Sequence, residues 1–423
     1  MDRLLVEGGV RLAGSVPISG AKNSALKLMA AALLSEGRTR IDGVPRIRDC
    51  RTMGEVLERL GAGVSWDDRG IVIDASGTLG IEAPYDLVRQ MRASILVLGP
   101  LLARRGQARV AMPGGCNIGS RSIDLHTRGL ERMGVEFESD HGFLVARANP
   151  LRGAVVSLDF PSVGATENVL MAAVGARGTT VIENAAREPE IEDLAQLLSG
   201  MGASIDGAGT TTIEIQGVDG FHGTEHRVIP DRIEAGTFAL AACATGGDVL
   251  LEGARAGHLD LFLSKLAEIG AVVQVEETGV RVSMPGRPDA VDFVTLPYPG
   301  FPTDLQPQAM AVLAAARGTS IVTENVFESR FMFVPELNRM GADIRTEGHH
   351  AVIRGVERLS AAPVRALDIR AGAAMVIAAL GAEGTTEIGD LFHIDRGYED
   401  LEDKLLRLGA RVSREAALSP AMS

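Results

Sequence analysis

The chain has 423 residues, a formal net charge of −13 and 4% aromatic residues. Its length predicts two or more domains, and its acidic charge argues against a general nucleic-acid-binding protein, which needs a basic surface. Three widely spaced cysteines argue against a disulfide framework and are typical of a reducing cytoplasm. Acidic residues near the N-terminus argue against a signal peptide, and no apolar run approaches the length of a membrane span.

One sequence pattern returns six times along the chain. A helix rich in alanine and leucine ends near a glycine, a short strand follows, and an amphipathic helix then ends at a second glycine. Because the first helix of each repeat is apolar nearly all round, we expect it to be buried, and the glycine after it is suited to a left-handed C-cap. The first helices are predicted at 22–35, 92–105, 165–177, 234–245, 304–317 and 370–383, followed by Gly37, Gly106, Gly178, Gly246, Gly318 and Gly384. The second glycines are Gly61, Gly134, Gly202, Gly270, Gly341 and Gly409, spaced by 68 to 73 residues.

These repeats predict an α/β protein of two domains with three repeats each, since a period near 70 residues is too long for a solenoid of helix pairs. A turn-rich stretch, 217–230, is the natural midpoint. The last repeat lacks closing strands, and residues 5–14 resemble 353–361 of the fifth repeat. We therefore expect one domain at 22–229 and another formed by 1–21 and 230–423. Two chain crossings between these domains would permit hinge closure.

A glycine-rich loop in the second repeat carries one of the three cysteines. Cys116 follows Gly114 and Gly115 and precedes Gly119, so the backbone can turn sharply and few atoms shield the sulfur. Arg121 follows shortly after, and a neighbouring cation favours the thiolate form of a cysteine. These residues alone leave two interpretations open, a reactive thiol or a tight turn with an incidental cysteine.

The starts of the buried helices are unusually polar. Lys22, Arg92 and Arg370 begin three of them, where a positive charge opposes the helix dipole. Because helix N-termini bind anions, three cations in equivalent positions predict a multiply anionic ligand, whereas a solvated helix end is the alternative for any one of them. Loops in equivalent positions of the second, fifth and sixth repeats offer Arg121, Arg330 and Arg396. Histidine spacing indicates no metal site, and no nucleotide-binding fingerprint stands in its required context.

Five motifs follow one another along almost the whole chain: Ser19-Gly20-Ala21-Lys22-Asn23, Pro113-Gly114-Gly115-Cys116-Asn117-Ile118-Gly119 with Arg121 and Asp124-Leu125-His126, Ser162-Val163-Gly164-Ala165-Thr166-Glu167-Asn168, Glu183-Asn184-Ala185-Ala186-Arg187-Glu188-Pro189-Glu190-Ile191, and His393-Ile394-Asp395-Arg396-Gly397-Tyr398. Together they resemble the UDP-N-acetylglucosamine 1-carboxyvinyltransferase family, the enolpyruvyl transferases of early peptidoglycan synthesis. The resemblance implies two inside-out α/β barrels of three repeats each, with the active site in the interdomain cleft.

The resemblance also implies a reaction. The enolpyruvyl group of phosphoenolpyruvate would be transferred to the 3′-hydroxyl of UDP-N-acetylglucosamine, and phosphate would be released. These two molecules are then the expected substrates of a cytoplasmic enzyme. No cofactor, metal, nucleic acid, membrane or obligate protein partner is implied.

Residues at matching positions receive roles from this resemblance. Lys22, Arg121 and Arg396 would hold the phosphate of phosphoenolpyruvate, Asp304 would accept the hydroxyl proton, and Cys116 would be the thiol that fosfomycin-type epoxides alkylate. The implied catalytic residues are Cys116, Asp304, Lys22 and Arg396. The implied substrate-binding residues are Lys22, Asn23, Arg92, Arg121, Ser122, Ile123, Asp124, Leu125, His126, Ser162, Val163, Gly164, Thr303, Asp304, Val326, Arg330, Arg370 and Arg396.

One position departs from the family pattern. Many members carry a lysine two residues before the Ser-Val-Gly motif, where this chain has Phe160, so one charge contact to the diphosphate is not expected here. Two alternative functions are enolpyruvyl transfer to another acceptor such as shikimate 3-phosphate, and non-catalytic binding of the nucleotide sugar. The cysteine loop argues against the first, because shikimate-pathway members lack it. The presence of Lys22, Cys116, Asp304 and Arg396 together argues against the second, because a binding protein needs neither an acid nor a base.

Overall fold

The computed structural model of the chain describes residues 2–88, 91–112, 123–148 and 150–416, and at residue 92 the backbone alone. The described helices are α1 (Lys22–Ala31), α2 (Arg48–Arg59), α3 (Tyr85–Val88), α4 (Leu98–Arg105), α5 (Asp124–Arg132), α6 (Val163–Ala173), α7 (Pro189–Gly200), α8 (Arg232–Thr245), α9 (Asp260–Glu268), α10 (Gln306–Leu313), α11 (Val334–Arg339), α12 (Ile369–Gly381) and α13 (Leu401–Arg407).

The described strands alternate with these helices. They are β1 (Arg3–Glu7), β2 (Ala13–Pro17), β3 (Arg38–Asp42), β4 (Gly63–Asp67), β5 (Gly70–Asp74), β6 (Glu82–Ala83), β7 (Gln107–Ala111), β8 (Glu136–Asp140), β9 (Phe143–Arg147), β10 (Val155–Ser157), β11 (Thr179–Glu183), β12 (Ser204–Asp206), β13 (Thr212–Gln216), β14 (Glu225–Arg227), β15 (Asp248–Glu252), β16 (Val272–Glu276), β17 (Gly279–Ser283), β18 (Phe293–Thr295), β19 (Thr319–Glu324), β20 (Asp343–Glu347), β21 (His350–Arg354), β22 (Pro363–Arg365), β23 (Thr385–Gly389) and β24 (Arg411–Glu415).

The described chain divides into two compact units. Residues 20–112 and 123–229 form the first unit, and residues 2–19 and 230–416 form the second unit. Each unit has its own apolar core, built from α1, α4 and α6 in the first unit and from α8, α10 and α12 in the second. The two cores share no residue, so each unit has the material of an independent domain.

The described residues form six four-stranded sheets of one topology, in which an edge strand pairs in parallel with its neighbour and the other pairs are antiparallel. The first unit contains the sheets β14-β3-β5-β4, β6-β7-β9-β8 and β10-β11-β13-β12. The second unit contains β2-β15-β17-β16, β18-β19-β21-β20 and β22-β23-β1-β24. The first strand of the chain, β1, lies between β23 and β24 and pairs with both. These sheets and their helices confirm the predicted α/β fold of six repeats.

The first helix of each repeat is buried, as its apolar sequence predicts. In α8 every residue from Ile233 to Cys243 is buried. Two of these helices begin as 3-10 helices, Arg92–Val97 before α4 and Thr303–Leu305 before α10. The sheets expose alternate residues, as in β13, so the helices lie inside each unit and the sheets form its outside.

The left-handed glycines are not all where the sequence places them. The glycines after the second helices have φ between +86° and +106°, as a left-handed helix end requires. Among the first helices, left-handed C-caps are found at Gly106 and Gly246. The prediction is wrong for Gly37, which does not have a positive φ. The 3-10 turn Ala32–Leu34 continues α1 instead, and its backbone N–H groups satisfy carbonyl groups at the end of the helix. Positive φ also occurs at Gly178, Gly318 and Gly384, but beyond the ends of their helices.

A third set of glycines lies directly after strands and packs against the backbone that follows a buried helix. Only a residue without a Cβ fits at these positions. A Cβ at Gly217 would lie 1.6 Å from a carbonyl oxygen, a Cβ at Gly355 would lie 1.9 Å from one, and a Cβ at Gly8 would lie 2.1 Å from one. These glycines directly follow β13, β21 and β1. The strand β1 therefore occupies the same place in its sheet as β13 and β21 do in theirs.

Gly217→Ala is expected to lower the free energy of unfolding by about 1–3 kcal/mol, because backbone must shift to admit the methyl group. Urea unfolding followed by the fluorescence of Trp66, the single tryptophan, measures this in the first unit. Gly220→Ala is the matched control, since a Cβ there meets nothing within 4 Å. Equal unfolding midpoints for the two variants would contradict the close approach.

Glu167 of α6 gives the first unit a second measurable property. Its carboxylate is fully buried, and Oε1 lies 3.2 Å from Nζ of Lys27 in α1. Burial raises the pKa of Glu167 from 4.5 to about 8, and the attraction of Lys27 offsets only part of this rise. A carboxyl group whose pKa is raised by folding holds a proton that the unfolded chain has released, so its contribution to stability falls as pH rises between these values.

The free energy of unfolding should therefore fall with rising pH by up to about 1.4 kcal/mol per pH unit because of Glu167. Glu167→Gln is expected to remove this contribution to the pH dependence. The measurement is urea unfolding of both proteins at several pH values between 5 and 8. The stability of the variant relative to the original should rise steadily with pH. Parallel pH dependences would show that Glu167 is ionised in the folded chain.

Candidate active site

Lys22 begins α1 and is paired at once with a carboxylate. Its Nζ lies 2.8 Å from Oδ2 of Asp49 in the first turn of α2, and the two side chains are 9% and 5% exposed. A buried ammonium at a helix N-terminus opposes the dipole and has lost its water, so it needs such a partner. Asn23 follows Lys22 and is half-buried. Asp49 was not predicted, because its only sequence signal is an acidic residue near the start of a helix.

The starts of α5 and α6 lie together in the first unit. Ile123, Asp124 and Leu125 precede or open α5, and the next residue, His126, is buried. Ser162 is the N-cap of α6, where its side chain accepts a hydrogen bond of 3.4 Å from the backbone of the third residue of the helix.

Gly164 is the point where these two helix starts meet. A Cβ at Gly164 would lie 3.0 Å from Cε1 of His126, so the absence of a side chain allows the imidazole to pack against the backbone of α6. Val163 stands beside Gly164 and is half-buried. The structure thus brings together His126, Ser162, Val163 and Gly164 from separate stretches of the sequence.

Asn168 orients the imidazole of His126. Its Oδ1 accepts a hydrogen bond of 2.9 Å from the backbone of Gly99, so its Nδ2 is the donor, and Nδ2 donates to the carbonyl of Ile95 at 3.2 Å. Nδ2 also lies 2.9 Å from Nδ1 of His126, which must therefore accept. The neutral imidazole then carries its proton on Nε2, on the side of Gly164. Asn168 belongs to the Ser-Val-Gly motif but was not predicted to have this role.

Asp304 stands between two buried arginines in the second unit. Its Oδ1 accepts a hydrogen bond of 3.0 Å from Arg330, and its Oδ2 accepts one of 2.9 Å from Arg370. The two arginine side chains are 1% and 7% exposed, whereas that of Asp304 is 24% exposed. The carboxylate is thus fixed by two guanidinium groups and still reachable from solvent, as a group that meets a ligand must be.

Arg370 is held from its other side by a buried tyrosine. Its Nη1 donates to Oη of Tyr398 at 3.4 Å, and the same hydroxyl contacts Thr237 at 2.9 Å and Gln308 at 3.2 Å. Burial alone would lower the pKa of Arg370, but the charge of Asp304 raises it above its usual value. Burial raises the pKa of Tyr398, so its hydroxyl stays protonated. The Tyr398 hydroxyl network extends the site beyond the residues implied by the sequence.

Thr303 and Val326 share one buried partner that the sequence did not indicate. Oγ1 of Thr303 donates a hydrogen bond of 2.9 Å to Glu324, and the backbone N–H of Val326 donates one of 2.8 Å to the same carboxylate. Glu324 is 1% exposed. The structure therefore brings together Thr303, Asp304, Val326, Arg330 and Arg370, five of the residues implied by the resemblance.

Arg396 closes the 3-10 helix Leu391–Arg396. Its charge contributes to a lowered pKa of His393, for which burial is the larger cause. The neighbouring Asp395 is bound by Arg414 through two hydrogen bonds of 2.9 Å, from Nη1 to Oδ1 and from Nη2 to Oδ2. The last strand of the chain thus fixes the segment that carries Arg396.

Three implied site residues, Cys116, Arg121 and Ser122, lie outside the described residues, as does the side chain of Arg92. Cys50 and Cys243 are buried thiols, and burial raises the pKa of Cys243 to about 12, so this thiol is inert at neutral pH. Within the described ranges no group of three or more histidine, cysteine or acidic side chains could hold a metal ion. In the same ranges no helix is long and apolar enough to cross a membrane.

Curated relatives match the chain along nearly its whole length. UDP-N-acetylglucosamine 1-carboxyvinyltransferase 2 of Carboxydothermus hydrogenoformans is 56% identical over 416 residues, which are 98% of this chain and 99% of the relative. The enzyme of the same name from Nocardia farcinica is 56% identical over 419 residues, 98% of each chain. The one from Mycobacterium tuberculosis is 54% identical over 413 residues, 98% of this chain and 99% of the relative.

Solved structures share the fold. The enolpyruvyl transferase NikO from Streptomyces tendae superimposes with a TM-score of 0.89 at 28% identity, covering 98% of each chain. An EPSP synthase from Acinetobacter baumannii superimposes with a TM-score of 0.76 at 18% identity, covering 98% of this chain and 100% of the EPSP synthase chain. The second similarity concerns the fold alone.

The sequence model of the family described as EPSP synthase (3-phosphoshikimate 1-carboxyvinyltransferase) matches residues 6–405. The match begins before the first repeat and reaches into the sixth, and these two curated relatives are 56% identical over 98% of this chain. This protein therefore belongs to the UDP-N-acetylglucosamine 1-carboxyvinyltransferase family, within the wider EPSP synthase family of enolpyruvyl transferases.

Proposed function

We propose that the protein transfers the enolpyruvyl group of phosphoenolpyruvate to the 3′-hydroxyl of UDP-N-acetylglucosamine and releases phosphate, as a step of peptidoglycan synthesis. The observation that carries this proposal is the carboxylate of Asp304, held between Arg330 and Arg370 and still 24% exposed. Such a group can take a proton from a bound hydroxyl while the guanidinium groups keep it in place. The relatives that are 54–56% identical bear the name of this activity.

The reaction needs an acid at C3 of phosphoenolpyruvate and a base at the acceptor hydroxyl. In our proposal the Cys116 thiol supplies a proton to C3, which leaves C2 electron-poor and open to the 3′-oxygen of the sugar. Asp304 takes the hydroxyl proton as the new C–O bond forms. Loss of phosphate from C2 and of a proton from C3 then restores the double bond. Cys116 as a nucleophile that forms a covalent adduct is the alternative role for the same thiol.

Cations are proposed to bind the anionic groups of phosphoenolpyruvate. Lys22, Arg121 and Arg396 would hold the phosphate, with support from Arg92, Arg330 and Arg370. Asp49 holds the Lys22 ammonium in place, with Nζ 2.8 Å from Oδ2. Positive charge is also the feature that stabilises a departing phosphate.

The nucleotide sugar is proposed to bind at the starts of α5 and α6. The bare backbone at Gly164 and the N-cap at Ser162 suit the close approach of a diphosphate to a helix N-terminus. His126 presents the edge that carries Nε2 beside Gly164. Asn23, Ser122, Ile123, Asp124, Leu125, Val163, Thr303 and Val326 would complete the contacts to uridine and sugar.

We also propose that the protein acts in the cytoplasm. The two cysteines within the described residues are thiols, which is the usual state in a reducing compartment. Neither alternative function is favoured. The EPSP synthase structure is 18% identical, against 56% for relatives named for the nucleotide sugar. A pure binding protein has no use for both Cys116 and Asp304.

The direct test is a phosphate-release assay with purified protein. Phosphate should appear when phosphoenolpyruvate and UDP-N-acetylglucosamine are both present, and at background level when either is omitted. Mass spectrometry of the product should show the nucleotide sugar plus an enolpyruvyl group. Release with shikimate 3-phosphate in place of the nucleotide sugar would establish the other acceptor. Binding of the nucleotide sugar without any release would establish the non-catalytic function.

Cys116 is expected to be the one thiol that fosfomycin labels, because Cys243 is buried with a pKa of about 12 and Cys50 is fully buried. Mass spectrometry of the digested protein should find a single adduct, on the peptide with Cys116. Cys116→Ala should lose the adduct and most of the activity, whereas Cys116→Asp should lose the adduct and keep turnover, because a carboxylic acid can still give a proton. Full activity of Cys116→Ala would reduce Cys116 to a loop residue.

A further inference from the structure

Glu324 ends β19 as a buried carboxylate surrounded by hydrogen-bond donors. Its Oε1 accepts from Oγ1 of Thr295 at 2.8 Å, from the backbone N–H of Val326 at 2.8 Å and from that of Phe327 at 3.0 Å. Its Oε2 accepts from Oγ1 of Thr303 at 2.9 Å. A carboxylate at 1% exposure is costly unless its lone pairs are met, and these donors meet them.

The donors come from three different segments of the second unit. Thr295 ends β18 and lies directly opposite Glu324 in the parallel pair of β18 and β19. Thr303 opens the 3-10 helix before α10, and Val326 follows β19. Glu324 therefore joins three chain segments that leave the same end of two neighbouring strands.

Two of these donors, Thr303 and Phe327, fix the proposed base Asp304 and its partner Arg330. Thr303 precedes Asp304 in the chain, so the bond from Thr303 to Glu324 places the turn that carries Asp304. Phe327, on the other side, accepts at its carbonyl a hydrogen bond of 3.1 Å from the backbone N–H of Arg330, whose side chain binds Asp304 at 3.0 Å. Both members of the Asp304–Arg330 pair are thus anchored to one carboxylate.

We propose that Glu324 is a positioning residue for the transfer reaction, which sets the place of Asp304 and of the acceptor-binding residues Thr303 and Val326. The inference rests on the proposed function of Asp304 as proton acceptor. Glu324 meets no substrate, because its two oxygens are occupied within the unit. Its effect is on the acceptor and the base, and not on the binding of phosphoenolpyruvate.

Glu324→Gln is the test variant, because it keeps the shape and removes the charge. A neutral amide accepts weaker hydrogen bonds, and its NH₂ group meets the hydroxyl hydrogen of Thr303. We expect kcat to fall by about 10–100-fold, which is the range for a misplaced reacting group. KM for UDP-N-acetylglucosamine should rise several-fold, and KM for phosphoenolpyruvate should stay within about twofold.

Glu336→Gln is the matched control. Glu336 is 7% exposed, lies in the same unit and also accepts a backbone hydrogen bond, of 3.0 Å from Arg365. Its kinetic constants should not change, whereas its loss of stability should resemble that of Glu324→Gln. Unchanged kcat in Glu324→Gln, or equal changes of all kinetic constants in the two variants, would overturn the proposal.

Thr295→Val supplies a second variant that leaves the carboxylate and Asp304 intact. It removes one donor to Glu324 and the acceptor of a 3.0 Å hydrogen bond from the backbone of Asn325. It should change kcat and the two KM values in the same directions as Glu324→Gln, to a smaller extent. An unchanged kcat in Thr295→Val would also count against the network.

Amide hydrogen exchange separates this inference from the proposed function. If the original protein released no phosphate, the function would fail, but the backbone amides of Val326 and Phe327 could still be followed. They should exchange about tenfold or more faster in Glu324→Gln than in the original protein, because their acceptor is weakened. They should be unchanged in Glu336→Gln. Equal exchange in all three proteins would overturn the positioning role whatever the activity.

Discussion

Buried charge is the constraint on which the arrangement of the helices depends. The central helix of each repeat is apolar nearly all round, so an ionised side chain on it can persist only where another element brings an opposite charge. The cost of leaving one partner unpaired is about 3–5 kcal/mol, a large part of the stability of a domain. The observed ion pairs on these helices are Lys22–Asp49, Lys404–Glu234 and Arg370–Asp304. Glu167 beside Lys27 meets the same constraint in another way, because burial raises its pKa and it keeps its proton.

These ion pairs do not all have the same use. The pair of Lys404 and Glu234, 2.6 Å apart, also binds Ser19, whose backbone donates to Glu234 and whose hydroxyl accepts from Lys404. It joins the N-terminal segment to α8 and α13 and is closed to solvent on both sides, at 8% and 4% exposure. Asp304 differs in being 24% exposed. Both pairs place a charge near a helix start. The sealed pair is structural, and we propose that the pair with the exposed carboxylate of Asp304 takes part in the reaction.

Much of the fold could be predicted because it repeats. A recurring glycine can be recognised in the sequence alone, because each of these helix ends requires a residue with positive φ. These glycines are Gly61, Gly134, Gly202, Gly270, Gly341 and Gly409. Burial of the first helices follows from their composition alone. The prediction of a left-handed C-cap at Gly37 was wrong for a local reason. A helix can end in a 3-10 turn or in a left-handed C-cap, and the composition of this segment does not decide between the two.

The charged residues of the candidate site have signals in the sequence, whereas their partners have none. Arg370 opposes a helix dipole, Arg330 lies in a loop that recurs between repeats, and the family motifs imply the role of Asp304. Asn168 and Glu324 do not, since their roles depend on which backbone groups the strand register and helix packing bring near them. In the sequence, Glu324 has only the character of a polar residue at the end of a strand. The pairing of β18 with β19 in the structure shows that Thr295 lies opposite it.

A comparison between repeats shows how such a partner arises. In the third repeat β11 ends at Glu183, opposite Ser157, whose hydroxyl donates to it at 2.5 Å on the exposed surface. In the fifth repeat the equivalent pair is Thr295 and Glu324, and it is buried. The connection after the edge strand is longer there, 296–302 against 158–162, and it returns to the strand through a hydrogen bond of 3.2 Å from the backbone of Leu296 to Phe301. A carboxylate that is buried at this position needs further donors, and one of those that it has, Thr303, directly precedes Asp304 in the chain.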